Sequence, residues 1–380
     1  MKIIEYPINI VNSIIYLINN QSFTHHIKGN ISSHSDDHFR NKIVIISTIL
    51  AIGIVFLHIK FDEEVSSIAK LTHQSITFFL HTCVPLFFAI SGYLFFRGFS
   101  MKQYGNKLKR RIKSLLFPYL IWNIAYVFFM YLIYRVGFLN ELSYSLNTSG
   151  VLKAIINAEC SPLWFIRYLM LFVCIAPLTY FVLLHRLIGA IFISLQIVFN
   201  LYNYHVGYFN SGIHVNDNTL AMFNYQFVYF ALGAYAALCW GKEIETKNKK
   251  RSQIALIVLC VMIVTYLLVL REHGNAGINH FFRLIWVPIF WFSFDLLPEL
   301  KIRPWMKYTF LLYCTHMFVV YGLQGVISKI MPSMASYNPI FTFIEYLAIG
   351  VITIYVCLTL SHLLKIYCPR IHSIVSGNRG

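Results

Sequence analysis

Charged side chains are scarce in this sequence. They make up 12% of the 380 residues, against 58% hydrophobic residues. A soluble domain normally carries about a quarter charged residues, so this chain lacks the polar surface that a globular protein needs in water. The composition therefore excludes an ordinary soluble protein and predicts an integral-membrane protein.

Familiar catalytic signatures are also missing. The sequence contains no GxxxxGK[ST], GxGxxG, HExxH or GxSxG motif, which argues against a phosphate-binding loop, a zinc protease or a serine hydrolase. Eight cysteines occur without a CxxC pair, and most fall in or beside apolar segments, so we expect no structural disulfides. Any chemistry is expected within the apolar segments and their short connections.

Long apolar runs dominate what is present. A helix that spans a bilayer needs roughly 17–25 mainly apolar residues, and the sequence offers ten such runs. They predict an all-α fold, a polytopic transmembrane helical bundle of about ten spans. The predicted spans are 43–61, 76–97, 114–134, 163–184, 187–204, 219–240, 253–270, 281–298, 308–328 and 341–364.

Basic residues are distributed unequally between the two sets of connections. One set, together with both termini, holds 22 of the 31 lysines and arginines, and the other holds seven. Cytoplasmic loops are the ones enriched in lysine and arginine. We therefore predict that both termini are cytoplasmic, which agrees with an even number of spans. Because the positive charge is then explained by topology, we predict no nucleic-acid partner.

The predicted organisation has three parts. Residues 1–42 form a cytoplasmic N-terminal segment, 43–365 the membrane domain, and 366–380 a basic cytoplasmic tail. Histidines and aspartates cluster between positions 25 and 38, which admits a metal site, but their irregular spacing favours a solvated polar tail. We predict no bound metal.

Ionisable side chains at membrane depth are costly and mark candidate functional positions. Five occur in or near the predicted spans: His58, His81, Arg167, Asp295 and His316. Neutral imidazole is the cheapest of these groups to bury and suits proton transfer near neutral pH. The alternative is that each histidine only hydrogen-bonds a neighbouring helix, and that Arg167 and Asp295 reach water at the interface.

Six sequence blocks, in a fixed order, resemble one known family. Together they are similar to the acyltransferase-3 family of bacterial membrane O-acyltransferases, particularly the branch that modifies exopolysaccharides, over about residues 43–365. The blocks are VFLH (Val55–His58), VPLFFAISGYLFF (Val84–Phe96), KLKRRIKSLLFPYLIW (Lys107–Trp122), PLWFIRYL (Pro162–Leu169), YFALGAY (Tyr229–Tyr235) and FLLYCTH (Phe310–His316).

The resemblance implies an enzyme of the bacterial cytoplasmic (inner) membrane. Its donor would be acyl-coenzyme A, in particular acetyl-CoA, on the cytoplasmic side. Its acceptor would be a hydroxyl of a polysaccharide or lipid-linked glycan on the other side. Within this reading, His58 is the general base that removes the hydroxyl proton. Arg167 and His316 orient the acceptor or stabilise the oxyanion.

Binding residues follow from the same resemblance. Lys107, Arg110 and Arg111 are candidates to hold the coenzyme phosphates through charge-assisted hydrogen bonds, although simple positive-inside signalling also explains these charges. Trp164 and Ser91 are assigned to substrate binding, with the indole positioned to stack on a sugar ring.

The first helix departs from the family pattern. The family usually carries a basic residue eleven positions before the histidine, often with an acid three residues earlier. Ser47 and Val44 occupy those positions here. Arg40 and Lys42, five to seven residues further out, are candidates to replace the charge. The departure predicts either a remodelled coenzyme-facing end or impaired catalysis.

Three other functions remain open from sequence. A transporter or flippase of glycan intermediates would use the same polar cavity without acyl transfer, although no internal repeat supports it. The other large class of membrane O-acyltransferases also uses an intramembrane histidine, but the ordered blocks fit it less well. A purely structural membrane protein would leave the buried histidines without a purpose.

Overall fold

The fold consists of helices. The computed structural model describes residues 33–60, 67–139, 141–205, 219–270, 276–297, 302–330 and 339–378, and every regular element within them is helical, which confirms the all-α prediction. The helices are α1 Ser33–Leu57, α2 Ser67–Leu80, α3 Cys83–Phe96, α4 Tyr104–Arg111, α5 Phe117–Arg135, α6 Thr148–Ile156, α7 Trp164–Cys174, α8 Ala176–Leu183, α9 Arg186–His205, α10 Thr219–Cys239, α11 Gly241–Glu245, α12 Lys249–Thr265, α13 Ala276–Ser293, α14 Thr309–Ile330, α15 Pro339–Tyr367 and α16 Pro369–Val375.

Several of these helices, alone or joined end to end, are long and apolar enough to cross a membrane. Seven such spans occur within the described residues, or eight if the bent pair α7–α8, whose axes differ by 65°, counts as one. The two other predicted spans coincide with α10 and α13, whose mean hydropathy is lower than that of these spans. Both helices carry strongly polar side chains, among them Gln226 and Arg283. The chain is a multi-pass membrane protein, while ten spans and cytoplasmic termini remain predictions.

Helices α3 and α10 lie in backbone contact. A Cβ atom added to Gly92 would overlap the carbonyl oxygen of Phe230, and one added to Gly233 would overlap that of Ala89. Small residues allow such a close approach of two helices. In a membrane this packing drives helix association, because lipid tails are as apolar as the helix surfaces and the hydrophobic effect does not favour helix–helix contact. Two glycines from separate blocks of the sequence, Gly92 and Gly233, thus serve one helix crossing.

Aromatic side chains fill the space around this crossing. The ring of Phe172 on α7 lies 5.4 Å from that of Phe88 on α3 and 5.2 Å from that of Phe230 on α10. All three rings are fully buried. Tilted aromatic pairs at this distance are favourable beyond the apolar area they bury, so α3, α7 and α10 form one rigid unit.

The chain termini extend the predicted membrane domain. Helix α1 begins at Ser33, so it includes part of the segment assigned as an N-terminal tail, and residues 1–32 lie outside the described residues. At the other terminus, α16 packs on α5, where the indole Nε1 of Trp122 donates to the carbonyl of Val375 at 3.0 Å. Gly377 follows with a φ of +62° and lies against Ser114.

Candidate active site

His58 lines a cavity at one end of the bundle. It follows the last residue of α1, its side chain is half-buried, and the cavity that it lines measures about 420 Å³. We call this space the His58 cavity. Its polar and aromatic lining includes His58, His81, Trp164, Gln226, Arg283 and Tyr313.

His316 lies behind His58 instead of lining the cavity. The centroids of the two imidazole rings are 5.4 Å apart, and the His316 side chain is fully buried. Its Nδ1 is 3.2 Å from the carbonyl oxygen of Leu312, one turn earlier in α14. Its Nε2 has no hydrogen-bond partner among the described residues. The sequence placed these histidines on separate helices, and the fold brings them side by side.

A second cavity lies deeper in the bundle. It encloses about 340 Å³, and its polar lining comes from Ser47 on α1, Ser91 on α3, Arg111 on α4 and the nearby Lys307. We call it the middle cavity. Ser91 and Ser47, which the sequence singled out for different reasons, face the same space.

The third cavity lies at the opposite, positively charged end. Lys107, Arg110, Arg111 and Lys113 line about 440 Å³, together with Gly377 and Asn378 from the C-terminal segment. We call it the basic cavity. The basic residues that the sequence grouped together therefore line one cavity. The C-terminal segment forms part of its wall.

The three cavities adjoin one another. The basic and middle cavities share Leu94 and Arg111 as lining residues. The middle and His58 cavities share Phe87, Phe165 and Tyr313. The Tyr313 hydroxyl donates to the carbonyl of Pro162, which fixes α14 against the turn that precedes Trp164. Neighbouring cavities thus share lining residues from the basic end to His58, and aromatic side chains form the boundary between the middle and His58 cavities.

The basic residues play unequal parts. The Lys107 ammonium donates to the carbonyls of Phe95 and Arg97 at 2.9 and 3.2 Å, so it closes the C-terminal end of α3. Arg110 is exposed. Arg111 is half-buried, lies 5.9 Å from the Phe95 ring centroid and lines both the basic and the middle cavity. Arg111 is therefore the cation best placed to contact a ligand that extends from the basic cavity into the middle cavity.

The candidates to replace a charge at position 47 lie elsewhere. The Lys42 ammonium is 2.6 Å from a carboxylate oxygen of Asp295, and both side chains are almost fully buried. Arg40 is exposed and pairs with Asp37 at 3.6 Å. Neither basic residue lines the middle cavity, whereas Arg111 and Lys307 do. The positive charge near Ser47 comes from other segments of the chain.

The remaining predicted site residues divide between the cavity and its surroundings. Trp164 lines the His58 cavity as expected for a sugar-contacting residue. Arg167 is not a lining residue of that cavity, and its guanidinium lies 5.5 Å from the Tyr168 ring. Arg283 is the arginine that lines the cavity.

Gln226 and Arg283 are not among the site residues predicted from the sequence. Both lie in otherwise apolar runs, and their polar character at membrane depth was the signal that could have identified them.

Comparison with known families now decides the identity of the domain. The model of an acyltransferase domain matches residues 46–362, a range that runs from within α1 to within α15 and includes the described lining residues of the His58 cavity. The chain belongs to the acyltransferase-3 family. This confirms the resemblance drawn from the six sequence blocks, and it places His58, His316 and Arg111 inside the family's domain.

One relative bears on the biological setting. The chain is 30% identical, over 154 residues, to the succinoglycan biosynthesis protein ExoH of Rhizobium meliloti (strain 1021). The match covers 36% of this chain and 41% of that relative, so it spans less than half of either protein. No solved structure matches the chain significantly.

Proposed function

We propose that this protein transfers an acyl group, acetyl in the first instance, from acyl-CoA to a hydroxyl of an exported or cell-surface polysaccharide. The donor enters from the basic end, on the cytoplasmic side of the bacterial inner membrane, and the glycan approaches from the His58 end. The observation that carries the proposal is the series of three neighbouring cavities that lies between the basic residues and His58. Membership of the acyltransferase-3 family supplies the reaction class.

His58 is the general base of the proposed reaction. A sugar hydroxyl attacks the thioester carbonyl while the His58 imidazole accepts its proton, and general-base assistance of this kind contributes typically about 10²–10⁴-fold. The tetrahedral intermediate then collapses with cleavage of the carbon–sulfur bond. The imidazolium returns the proton to the departing thiolate, so the products are the ester and free coenzyme A.

His316 is a positioning residue in this scheme. Its Nδ1–H donates to the Leu312 carbonyl, which leaves the Nε2 lone pair as an acceptor. That acceptor belongs to a ring whose centroid lies 5.4 Å from that of the His58 imidazole. When it receives the N–H of His58, the other ring nitrogen of His58 is held unprotonated toward the cavity. The hydrogen bonds from His58 to His316 and from His316 to the Leu312 carbonyl would then decide which nitrogen of His58 carries the proton. A neighbouring acceptor sets the tautomer of other histidines in the same way.

The donor's polar end is assigned to the basic cavity. Phosphates prefer guanidinium groups, which bind them through two parallel hydrogen bonds, and Arg110 and Arg111 line this space together with Lys107. The acyl-bearing arm then passes the middle cavity, where Ser91 and Ser47 offer hydroxyl contacts. The thioester reaches His58 at the boundary formed by Phe87, Phe165 and Tyr313.

The deciding experiment replaces His58 and follows the acyl group. His58→Ala should abolish transfer from labelled acetyl-CoA to glycan in membrane vesicles, with unchanged protein level and membrane insertion. His185→Ala, at an exposed histidine outside the three cavities, is the matched control and should retain transfer. Retained acylation in His58→Ala would remove His58 from the mechanism.

Analysis of the surface glycan of a deletion strain separates the enzyme from a transporter. A flippase would leave the surface glycan of a deletion strain reduced in amount, whereas an acyltransferase would leave it present but lacking the mass of one acyl group per modified unit. Mass spectrometry of the glycan therefore identifies the transferred group and tests whether transfer occurs.

A further inference from the structure

A fourth cavity, which the proposed chemistry does not use, lies beside α3. It measures about 130 Å³ and is lined by α1, α3, α10, α11 and α13. We call it the side pocket. Among its lining side chains, only Tyr93 and Trp291 carry a polar atom. The Tyr93 hydroxyl donates to the Glu245 carboxylate at 2.7 Å, and the Trp291 Nε1 donates to the Ile244 carbonyl at 3.5 Å. The side pocket therefore suits an apolar group.

Small side chains and a proline leave this space open. Ala89 and Gly233 line the side pocket at the crossing of α3 and α10, and Ala236 follows nearly one turn later on α10. Pro288 lies within α13, and a proline in a helix interior removes a backbone hydrogen bond and kinks the helix. A large side chain at position 236 would therefore fill the pocket without touching the crossing itself.

The side pocket and the middle cavity lie on adjacent faces of α3. Ala89 lines the side pocket, and Ser91 lines the middle cavity. Ile90 and Leu94, four residues apart and so on one face of the helix, line both. Ile43 on α1 also lines both. The side pocket thus shares part of its wall with the space that the donor's acyl-bearing arm is proposed to pass.

The shared wall lies on the basic side of the reaction site. Phe87 forms part of the boundary with the His58 cavity, whereas Leu94, seven residues later on α3, also lines the basic cavity. At 1.5 Å per helical residue, these two levels are about 10 Å apart. A chain that turns into the side pocket at Ile90 and Leu94 therefore holds its thioester short of His58.

The volume limits the length of such a chain. A cavity of about 150 Å³ engineered in another protein stays dry and binds benzene, so the side pocket accommodates an alkyl group of about six carbons. Its continuity with the donor cavities favours a chain attached to coenzyme A over the tail of a membrane lipid.

We infer that the side pocket binds the alkyl chain of a medium-chain acyl-CoA whose coenzyme occupies the donor cavities, and that this molecule is a competitive inhibitor instead of a donor. The inference rests on the proposed function, since acyl-CoA is the donor in that proposal. The protein then discriminates between acyl groups by where the chain binds: acetyl is too short to leave the path to His58, and a six-carbon chain is diverted from it.

Binding of thioethers tests the pocket without acyl transfer. Displacement of labelled coenzyme A from the full-length protein in nanodiscs would compare S-ethyl-CoA with S-hexyl-CoA, neither of which has an acyl group to transfer. Each buried methylene strengthens binding by up to about fourfold, and ordering of the chain offsets part of this. S-hexyl-CoA should therefore bind at least about tenfold more tightly.

The same measurement separates the inference from the proposed function. If coenzyme A and both thioethers fail to bind, acyl-CoA is not the donor and the inference falls with it. If both thioethers bind equally well, the donor site stands and the inference alone is wrong. No gain for S-hexyl-CoA, together with a phospholipid that co-purifies with the wild type but not with Ala236→Phe, would assign the pocket to lipid and overturn the inference.

Variants locate the gain in the side pocket. Ala236→Phe should abolish the preference for S-hexyl-CoA and leave S-ethyl-CoA binding within about twofold, roughly the scatter expected for a neutral change. Ala348→Phe, the same substitution at an exposed alanine of α15 outside all four cavities, should keep the preference. A preference that survives Ala236→Phe would show that the chain binds elsewhere.

A second variant covers the case in which Ala236→Phe does not fold. Leu232→Ala enlarges the side pocket, because Leu232 lines it and none of the other three cavities. It should therefore bind S-octyl-CoA about fourfold or more tightly than the wild type does, as expected for at least one further buried methylene. Unchanged or weaker binding would contradict the assignment.

Kinetics test the inhibition. Hexanoyl-CoA should raise the apparent KM for acetyl-CoA without changing kcat, and Ala236→Phe should relieve this inhibition. Hexanoyl transfer to the glycan should be at least about tenfold slower than acetyl transfer, equivalent to one factor of ten in rate. Comparable rates for the two acyl groups would show that the six-carbon chain does not divert the thioester, and the inference would be wrong.

Discussion

The two ends of this protein bind by different physical means. At the His58 end, the half-buried His58 lies beside the fully buried His316. There the Tyr313 hydroxyl donates to Pro162, and the partly buried Arg283 donates to Tyr225. At the basic end, Arg110 and Lys113 are exposed to solvent and share one cavity with Lys107 and Arg111. Geometry therefore governs the first end, and summed charge governs the second.

This difference sets how each end should respond to mutation. A buried group acts at low effective dielectric, where losing one partner leaves an unsatisfied polar atom and costs about 1–3 kcal/mol. Exposed charge pairs contribute only about 0.2–1 kcal/mol each and are screened by salt. Single substitutions should thus be severe at the His58 end and mild at the basic end, with Arg111 as the intermediate case.

Gly233→Leu should have the largest effect, because it breaks both ends at once. The new side chain would meet the Ala89 backbone, and α3 carries lining residues of all three cavities. Overpacking usually costs about 1–3 kcal/mol, and here backbone instead of side chain must move, so we expect little folded protein by size-exclusion chromatography. Gly322→Leu, where no atom lies within 4 Å of an added Cβ, is the control. Equal yields of the two variants would contradict the close helix contact.

His316→Leu should lower kcat by about tenfold to a hundredfold, a part of the usual general-base contribution, and leave the KM for acyl-CoA unchanged. The reason is that His58 loses the acceptor that orients it, while the donor site is untouched. His316→Gln offers an amide oxygen to the same N–H and should recover part of the loss. If Leu and Gln behave alike, His316 acts only by filling space.

Arg111→Gln should raise the KM for acyl-CoA by about tenfold, equivalent to 1.4 kcal/mol, with little change in kcat. Arg111 lines both the basic and the middle cavity, so it is the cation that a bound donor would pass at closest range. The wild-type KM should rise with salt, and the variant's should rise less. A fall in kcat with constant KM would instead assign Arg111 to the reaction step.

Arg110→Gln should have the smallest effect, a rise of about twofold or less in the same KM, as expected for an exposed charge. Arg110→Gln and Arg111→Gln each remove one positive charge from adjacent positions. The difference between their KM values therefore measures how much the burial of Arg111 contributes to donor binding. An effect as large as that of Arg111→Gln would show that net charge alone governs donor binding.

Much of the fold followed from the sequence, because the length of an apolar run reports directly on the bilayer. All ten predicted runs form helices or a bent helix pair. The exceptions in hydropathy are informative: α10 and α13 are less apolar since they carry Gln226 and Arg283, which face the His58 cavity. The polar residues that lower the hydropathy of a predicted span are thus the ones that line the candidate site.

The candidate site was predicted less completely. His58 and Trp164 line one cavity as expected, yet His316 lies behind His58, and Arg283 lines the cavity in place of Arg167. The choice between Arg40 and Lys42 as replacements for a charge at Ser47 could not be made from spacing. Lys42 pairs with Asp295, 253 residues away in sequence, and no local pattern reports such a contact.

The sequence by itself determined the membrane class, the helices and the family, since each depends on composition and order along the chain. Only the tertiary structure decided which polar groups share a space, because cavities form where helices distant in sequence diverge. The glycines that bring α3 and α10 into contact can be read in the sequence, but their meeting across the crossing cannot. Close packing at that crossing and open space beside it together place His58 on one cavity and the basic residues on another, with the middle cavity between them.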